Sequence, residues 1–396
     1  MKRTLEEDEP TIAESLTRET QSSCKYFLST GSTLLDLAVS NRHPGGVGSG
    51  RVVQIIGDNS TAKSVVLKEM LGSAQRQGGY AVEQDAEYTP DFGRAHIFGV
   101  EVDNWADDAT QAEGVAMSIE KAVQISPRYC YRNPQNIESC FDSEIGPLAL
   151  LTEGQLPASA EKKSGEKKAG ENRIGEIKLK EAGFSLPKPL AVGVDTFTAL
   201  ASMAEESRGL DQNSYNMERA KCMSAGFRKW LKYIGRTDTT IIAVDHIRKK
   251  TGVMFGPDWT TSGGLAMQQY ASTRIFLAHA GAIKNKNDIE IGIWVRAKCV
   301  KNKLAPPFRE VRFAVLFDYG VDDIRSNLEW LKEQKVENKL AINGAWYAWG
   351  DERLGNGLEA AILGVESMGL EKSIEEEVVR VWREVYASPD RKVKER

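Results

Sequence analysis

Residues 57–64 read Gly57-Asp58-Asn59-Ser60-Thr61-Ala62-Lys63-Ser64. Before them stands Arg51-Val52-Val53-Gln54-Ile55-Ile56, a short β-branched run of the kind buried in a parallel sheet. After them Val65, Val66, Leu67, Met70, Leu71 and Ala74 recur at helical spacing until Gly78-Gly79. Strand, tight loop, Lys-Ser and helix together make the layout of a phosphate-binding loop. In that layout backbone amides of Gly57 to Val65 and the helix N-terminus face phosphate, Lys63 reaches the terminal phosphates and the Ser64 hydroxyl holds Mg²⁺. The pattern asks for glycine where this chain has Ala62, and a Cβ resists the turns that glycine adopts there. Taken alone, the stretch also fits an ordinary strand-to-helix turn.

The bulk composition sets bounds. With 396 residues, 41% hydrophobic and 27% charged, the chain has room for roughly two ordinary globular domains. No apolar run approaches a membrane span, and the acidic start MKRTLEEDEPTIAES does not read as a secretory signal, so the expectation is a cytoplasmic protein without a membrane partner. The five cysteines form no C-x-x-C pair and the four histidines are scattered, which argues against a disulfide framework or a metal cluster. Net charge of −4 means that any nucleic-acid site must be a local basic surface.

Along the chain, residues 1–26 read as a mobile tail, and Leu34, Leu35, Leu37 and Ala38 as a short helix. Tyr80 to Asp85 reads as a strand ending in acid, which puts Glu87 at the strand end where open α/β sheets keep ligands. Asp107 to Ile125 is expected to be helical, with Val115, Ile119, Ala122 and Val123 on one face. From about 126 to 188 the periodicity dissolves into Lys, Glu and Gly, the composition of a flexible insertion in which Cys130 and Cys140 are incidental. Order returns with Leu190 to Asp195, a strand ending in an Asp of the kind that binds Mg²⁺ directly or through water. A strand over Thr240 to Asp245 follows, then three more over 273–278, 293–300 and 311–317. Alternation first and successive strands later predict a mostly parallel sheet with an antiparallel extension.

Longer motifs carry a family resemblance. HIRKKTGVMFGPDWTTSGGLAMQQYASTR, then VKNKLAPPF, resembles bacterial RecA, the ATP-dependent strand-exchange recombinases. So do FLSTGSTLLDLA, GGVGSGRVVQIIG, DAEYTPDFGRAHIFGV, VDTFTAL and AWYAWGDERLGNG, so the likeness runs nearly the whole chain outside the lysine-rich insertion. It implies an α/β fold: a RecA-type P-loop ATPase core over 27–321, with a mostly parallel central sheet flanked by helices, and a small α+β C-terminal domain over 322–396. ATP and Mg²⁺ are implied as cofactors, and single-stranded DNA, homologous duplex DNA and copies of the chain in a helical filament as partners. Residue by residue, Lys63 and Ser64 would hold triphosphate and metal, Asp195 would sit beside the metal, and Glu87 would polarise the attacking water. Asp91 and Arg94 would contact adenine, and Lys301 and Lys303 would reach a neighbouring subunit's γ-phosphate.

DNA contacts are implied on two loops. One spans Glu205 to Met217 and leads to a helix with Lys221 and Arg228. The other spans Ile247 to Gly264, with Arg248, Lys249, Lys250, Phe255, Thr260, Thr261, Ser262, Gly263 and Gly264. Cations, hydroxyls and glycine amides suit phosphate, and an apolar tip suits unstacked bases. Three positions depart from the family: Ala62; His246, where the family has a glutamine that senses γ-phosphate; and a mixed-charge C-terminus. Lys332, Lys335 and Lys339 recur at helical spacing as a basic or merely solvated face. Trp346, Tyr347 and Trp349 read as packing residues, and His43, His96 and His279 as structural.

Overall fold

The computed structural model describes residues 24–89, 95–98, 100, 123–126, 129–134, 136–141, 189–207, 215–249, 259–261 and 266–387. Strands β1 (Phe27–Leu28) and β2 (Val47–Gly48) pair around helix α1 (Thr33–Ser40). Ser32 caps α1 by accepting from the Leu35 amide, and Asn41 ends it in the left-handed conformation. Next come β3 (Val52–Gly57), α2 (Lys63–Arg76), β4 (Tyr80–Asp85), β5 (Val123–Ser126), β6 (Tyr129–Arg132) and the short α3 (Ile137–Cys140). The second half opens with β7 (Leu190–Asp195), α4 (Met203–Glu206), the long α5 (Tyr215–Thr237), β8 (Thr239–Lys249), β9 (Trp259–Thr261) and α6 (Ala266–Tyr270). Antiparallel strands β10 (Thr273–Lys284), β11 (Glu290–Asn302), β12 (Glu310–Leu316) and β13 (Gly320–Asp322) then lead to α7 (Asp323–Glu333). A three-stranded sheet, β14 (Leu340–Asn343), β15 (Trp346–Trp349) and β16 (Glu352–Asn356), precedes α8 (Leu358–Met368) and α9 (Glu371–Val385).

The main sheet has the order β13-β12-β11-β10-β3-β8-β7-β4-β6-β5, with β9 attached to β8. From β10 through β6 every neighbouring pair is parallel, and both flanks are antiparallel. This is the expected α/β architecture. Chain order jumps between β3 and its neighbours β10 and β8, which opens a crevice at the carboxyl ends of the strands. Register sets what meets there. Gly57 lies level with His246, and Asp195 lies level with Asp85.

Two apolar clusters cover the sheet. On one side Val53, Ile55, Val244 and Ile275 pack with α1 and α2, and this cluster continues through Leu354, Ile374 and Trp382 of the C-terminal elements. On the other, Val52, Val192 and Ala243 pack with Phe141, Phe197, Phe227 and Trp230. Three polar latches tie the C-terminal elements down. Arg325 bridges Asp322 and Glu359, Trp382 Nε1 donates to Asn41 Oδ1 at 3.0 Å, and the Arg309 guanidinium lies over Trp382.

Several expectations change. Helix 107–125 lies outside the described residues except at its end, where Val123 to Ser126 forms an edge strand on β6 instead. The stretch read as patternless from 126 contains β6, paired parallel to β4, and α3, whose Ile137 and Cys140 are buried beside Phe141. Its Tyr-Cys-Tyr-Arg run is strand-like, but too short for periodicity to register. Cys140 is therefore a core residue. Helix α7 stops at Glu333, so Lys335 and Lys339 do not continue its face, and Lys332 pairs with Glu329 at 3.2 Å. Tyr347 and Trp349 are buried, whereas Trp346 is exposed.

Candidate nucleotide site and nucleic-acid interface

The loop between β3 and α2 is closed by its own polar groups. The Asp58 carbonyl accepts from Thr61 Oγ1 at 2.8 Å and from Lys63 Nζ at 2.6 Å. Gly57 has no room for a side chain, since a Cβ would lie 2.5 Å from Thr61 Oγ1 and 2.6 Å from the Leu277 carbonyl oxygen. Ala62 stands at the N-cap of α2 with φ 62° and ψ 27°, in the left-handed region that favours glycine. Its methyl packs against the core cluster that includes Val66 and Leu67. With alanine at the cap, no side chain satisfies the first amides of α2, and the exposed Ser64 leaves this turn open to an anion.

Facing the loop, Ser64 Oγ donates to Asp195 Oδ2 at 2.5 Å. Burial pushes the Asp195 carboxyl up to about 7, the Ser64 hydrogen bond opposes this, and Glu87, Glu83 and Asp85 add to the rise. Burial likewise draws the Lys63 ammonium below its ordinary value, against the pull of Asp195, Glu87 and Asp58. A group that places positive charge between these carboxylates and the loop would relieve the strain on Asp195. Hydroxyl and carboxylate oxygens are the hard donors that suit Mg²⁺. Among the described residues no group of three or more His, Cys, Asp or Glu side chains could hold a metal; Ser64 and Asp195 offer one hydroxyl and one carboxylate, and a cation between them would need its remaining ligands from outside the chain.

Glu87 emerges from β4 on a turn organised by Asp85. Asp85 accepts from the Glu87 amide at 2.9 Å, the Thr89 amide at 2.8 Å and the Tyr131 hydroxyl at 2.7 Å, and its carbonyl accepts from Asn133 Nδ2. The half-exposed Glu87 carboxylate meets His246 Nε2 at 3.3 Å. Loop, Ser64–Asp195 pair and Glu87–His246 pair thus sit together at the carboxyl ends of β3, β7, β4 and β8.

Comparison with known proteins follows the same lines. The family profile described as the RecA N-terminal domain matches residues 13–126 and 190–322. The chain belongs to the RecA family. It is 32% identical over 334 residues to Protein RecA of Rubrobacter xylanophilus, covering 84% of this chain and 77% of that protein. Protein RecA of Citrifermentans bemidjiense is 30% identical over 330 residues, covering 83% and 78%. Protein RecA of Clostridium acetobutylicum is 29% identical over 368 residues, covering 93% and 85%. The break in the family match, between 126 and 190, contains the lysine-rich insertion.

Other RecA-type positions are placed unevenly. Lys301 Nζ donates to the Gln268 and Gln269 carbonyls at 2.7 and 3.1 Å, and so anchors the end of α6; Lys303 is exposed. Asp91 and Arg94 lie outside the described residues, as do Lys250, Phe255, Ser262, Gly263 and Gly264. The loop expected over 247–264 is, where described, an antiparallel ribbon in which β8 runs on to Lys249 and pairs with β9. Arg248, Lys249 and Thr260 are ribbon residues, with Arg248 opposite Thr260 and Lys249 opposite Trp259. Thr261 is buried, so its hydroxyl is not presented to solvent as the resemblance implied. Glu205 is likewise buried in a capping box with Ser202, which holds the first loop's start in α4. Lys221 and Arg228 project into solvent from α5, seven residues apart, which brings them back to one helix face.

Asp85, Tyr131 and Asn133, which shape the Glu87 turn, were missed as site residues. Asp85 carried a signal, an acid at a strand end; Tyr131 and Asn133 fell in a stretch that gave none.

Proposed function

We propose that this chain is an ATP-dependent homologous recombinase. It forms filaments on single-stranded DNA, pairs that strand with homologous duplex, promotes strand exchange and hydrolyses ATP to ADP and phosphate when DNA is bound. The observation that carries this reading is the juxtaposition of Ser64–Asp195 and Glu87–His246 at the ends of parallel strands, one of which continues into a basic ribbon. Residues 27–321 are assigned as the ATPase core and 322–396 as a small C-terminal domain, acting in the cytoplasm. Among the described residues no helix is long and apolar enough to cross a membrane.

In this reading the amides of Gly57 to Val65 and the Lys63 ammonium bind the triphosphate, and Lys63 leaves the Asp58 carbonyl to do so. Ser64 and Asp195 would hold Mg²⁺, which would supply neutralisation of phosphate charge there. Glu87 Oε1 orients the attacking water and takes its proton; His246 Nε2, 3.3 Å away, steadies that carboxylate, and an imidazole N–H can donate to phosphate. Asp91 and Arg94 are assigned to contact with adenine, as the resemblance implies. Lys301 and Lys303 complete the site of the adjoining subunit, which makes turnover depend on assembly. Lys221, Arg228, Arg248, Lys249, Lys250, Phe255, Thr260, Ser262, Gly263 and Gly264 are assigned to DNA contact, as the resemblance implies.

The test is ATP hydrolysis by the purified protein with and without single-stranded DNA, alongside electron microscopy with a slowly hydrolysed ATP analogue. DNA-stimulated turnover and nucleotide-dependent filaments are expected. Filaments without turnover would instead leave an ATP-binding filament protein, the outcome that Ala62 and His246 would then explain. The absence of both turnover and filaments would sink the reading.

A further inference from the structure

A buried polar chain lies just beneath the nucleotide site, and the chemistry above makes no use of it. Asp245, the residue before His246 on β8, is fully buried. Its Oδ2 accepts from Gln54 Nε2 at 2.6 Å and its Oδ1 from Thr198 Oγ1 at 3.3 Å. Gln54 Oε1 in turn accepts from Arg274 Nε at 2.6 Å. Thr198 belongs to the turn that follows Asp195. In that turn the carbonyls of Phe197, Thr198 and Leu200 all accept from Arg219 Nη2 of α5, at 3.2, 3.0 and 2.5 Å. Hydrogen bonds thus connect β10, β3, β8, the turn after β7 and α5.

Stability alone is a poor account of this arrangement. Burial opposes the charged form of Asp245, and apolar residues of similar shape often serve a core as well as buried ions do. Such networks are better attested as devices that fix register. Here the tied elements are those that lead to the nucleotide loop, flank Asp195 and carry His246, together with those that carry Lys221, Arg228 and the β8–β9 ribbon. A shift of the turn after Asp195 must either break the Thr198–Asp245 bond or drag β8 with it.

We propose that Asp245 is a positioning residue that couples the nucleotide site to the β8–β9 ribbon, by bonding the turn after Asp195 and the loop-bearing strand β3 to the strand that carries His246. The inference rests on the nucleotide-site assignment made under Proposed function. Donor and acceptor counting sharpens it. Gln54 and Thr198 both donate to Asp245, and Gln54 also accepts from Arg274, so an amide in place of the Asp245 carboxylate keeps one accepting oxygen for two donors: it must either face Gln54 donor to donor or turn its NH2 onto Thr198 Oγ1 and reverse the sense of that bond. Gln54→Glu would supply a carboxylate able to accept both from the amide introduced by Asp245→Asn and from Arg274.

The experiment uses the full-length protein and a slowly hydrolysed ATP analogue with Mg²⁺. Nucleotide affinity is measured by titration, and hydrogen exchange is followed in peptides spanning 239–261, with and without nucleotide. In the unmodified protein, nucleotide should change exchange in the ribbon. Asp245→Asn should bind nucleotide within about threefold of normal yet lose at least about fivefold of that exchange response, the usual scale of a coupling between sites. Gln54→Glu combined with Asp245→Asn should restore the response, which a generally loosened structure would not. Where Asp245→Asn melts too early to compare, Thr198→Val cuts the same chain at its far end and should reduce the response likewise. A normal response in Asp245→Asn, parallel loss of affinity and response, or failure of the double variant to recover would overturn the proposal. So would an unmodified protein that binds nucleotide with no change in the ribbon. Absence of nucleotide binding altogether would remove the site assignment itself, and the proposal with it.

Discussion

Ala62→Gly tests how the phosphate loop tolerates its departure from the usual pattern. Ala62 holds φ 62° and ψ 27° at the start of α2. A side chain in that left-handed conformation costs roughly 1–2 kcal/mol relative to glycine. Against this, glycine adds about 0.4–1 kcal/mol of unfolded-chain entropy to be lost on folding. Removing a half-buried methyl from the core cluster costs about another 0.4 kcal/mol, half the figure for a fully buried CH₂. The effects nearly cancel, and the variant should lie between about 0.4 kcal/mol less stable and about 1.2 kcal/mol more stable. Because the methyl faces the core rather than the loop amides, nucleotide affinity should change by less than about threefold. Denaturant titration of the free protein reads the first quantity, and titration with a fluorescent ATP analogue reads the second. Ala62→Val supplies the contrast, since a β-branched residue is a true outlier in this region and should lower stability by at least about 2 kcal/mol. A tenfold tightening in Ala62→Gly, about 1.4 kcal/mol, would refute the reasoning by showing that the methyl obstructs phosphate.

Other expectations follow from the same geometry. Glu87→Gln keeps the side chain's shape but removes the base, so nucleotide binding should persist while turnover falls by about 10²–10⁴, read by steady-state hydrolysis with DNA; unchanged turnover would assign the base elsewhere. Replacing Lys221 or Arg228 by alanine should make the salt dependence of single-strand binding shallower by about 0.7 for each phosphate no longer neutralised, and an unaltered slope would take α5 out of the DNA path. Trp382→Ala removes a fully buried indole and its bond to Asn41, and should cost about 3–5 kcal/mol in denaturant unfolding; a destabilisation below about 1 kcal/mol would mean that α9 does not hold the core as described.

Acid and base should also act predictably on the protein without nucleotide. Burial raises Asp36 from 3.8 to about 6 and Asp323 from 3.8 to about 7, and the His43 imidazole is raised by its hydrogen bond to Glu375. In each case the folded state favours the protonated form. The stabilisation is complete below the unfolded values and is lost as pH climbs through the folded ones. The melting temperature should therefore fall between about pH 4 and about pH 7, by the equivalent of at least about 1.4 kcal/mol, one pH unit of linkage, with His43 carrying the fall on above its ordinary 6.5. Glu359 and Glu377, lowered by Arg325 and Arg380, work in the opposite direction but only at more acid pH. A flat or rising profile over that window would contradict the buried environment of Asp36 and Asp323.

By itself the sequence determined what is local. The β-branched run of β3, the Lys63-Ser64 pair, the periodicity of α2 and the acid-ended strands β4 and β7 are legible because strand and helix periods and turn chemistry act over a few residues. Ordered motifs then made the family legible at 246–318. Tertiary structure decided what depends on which strands become neighbours. Glu87 and His246 are 159 positions apart and meet because β4 and β8 both flank β7. Ser64 and Asp195 are 131 apart and meet across the same crevice. Periodicity specifies that a segment is a strand and which face it buries, but carries no record of its partners. For the same reason the phosphate loop showed its missing glycine in the sequence, whereas only packing revealed that the Ala62 methyl turns toward the core.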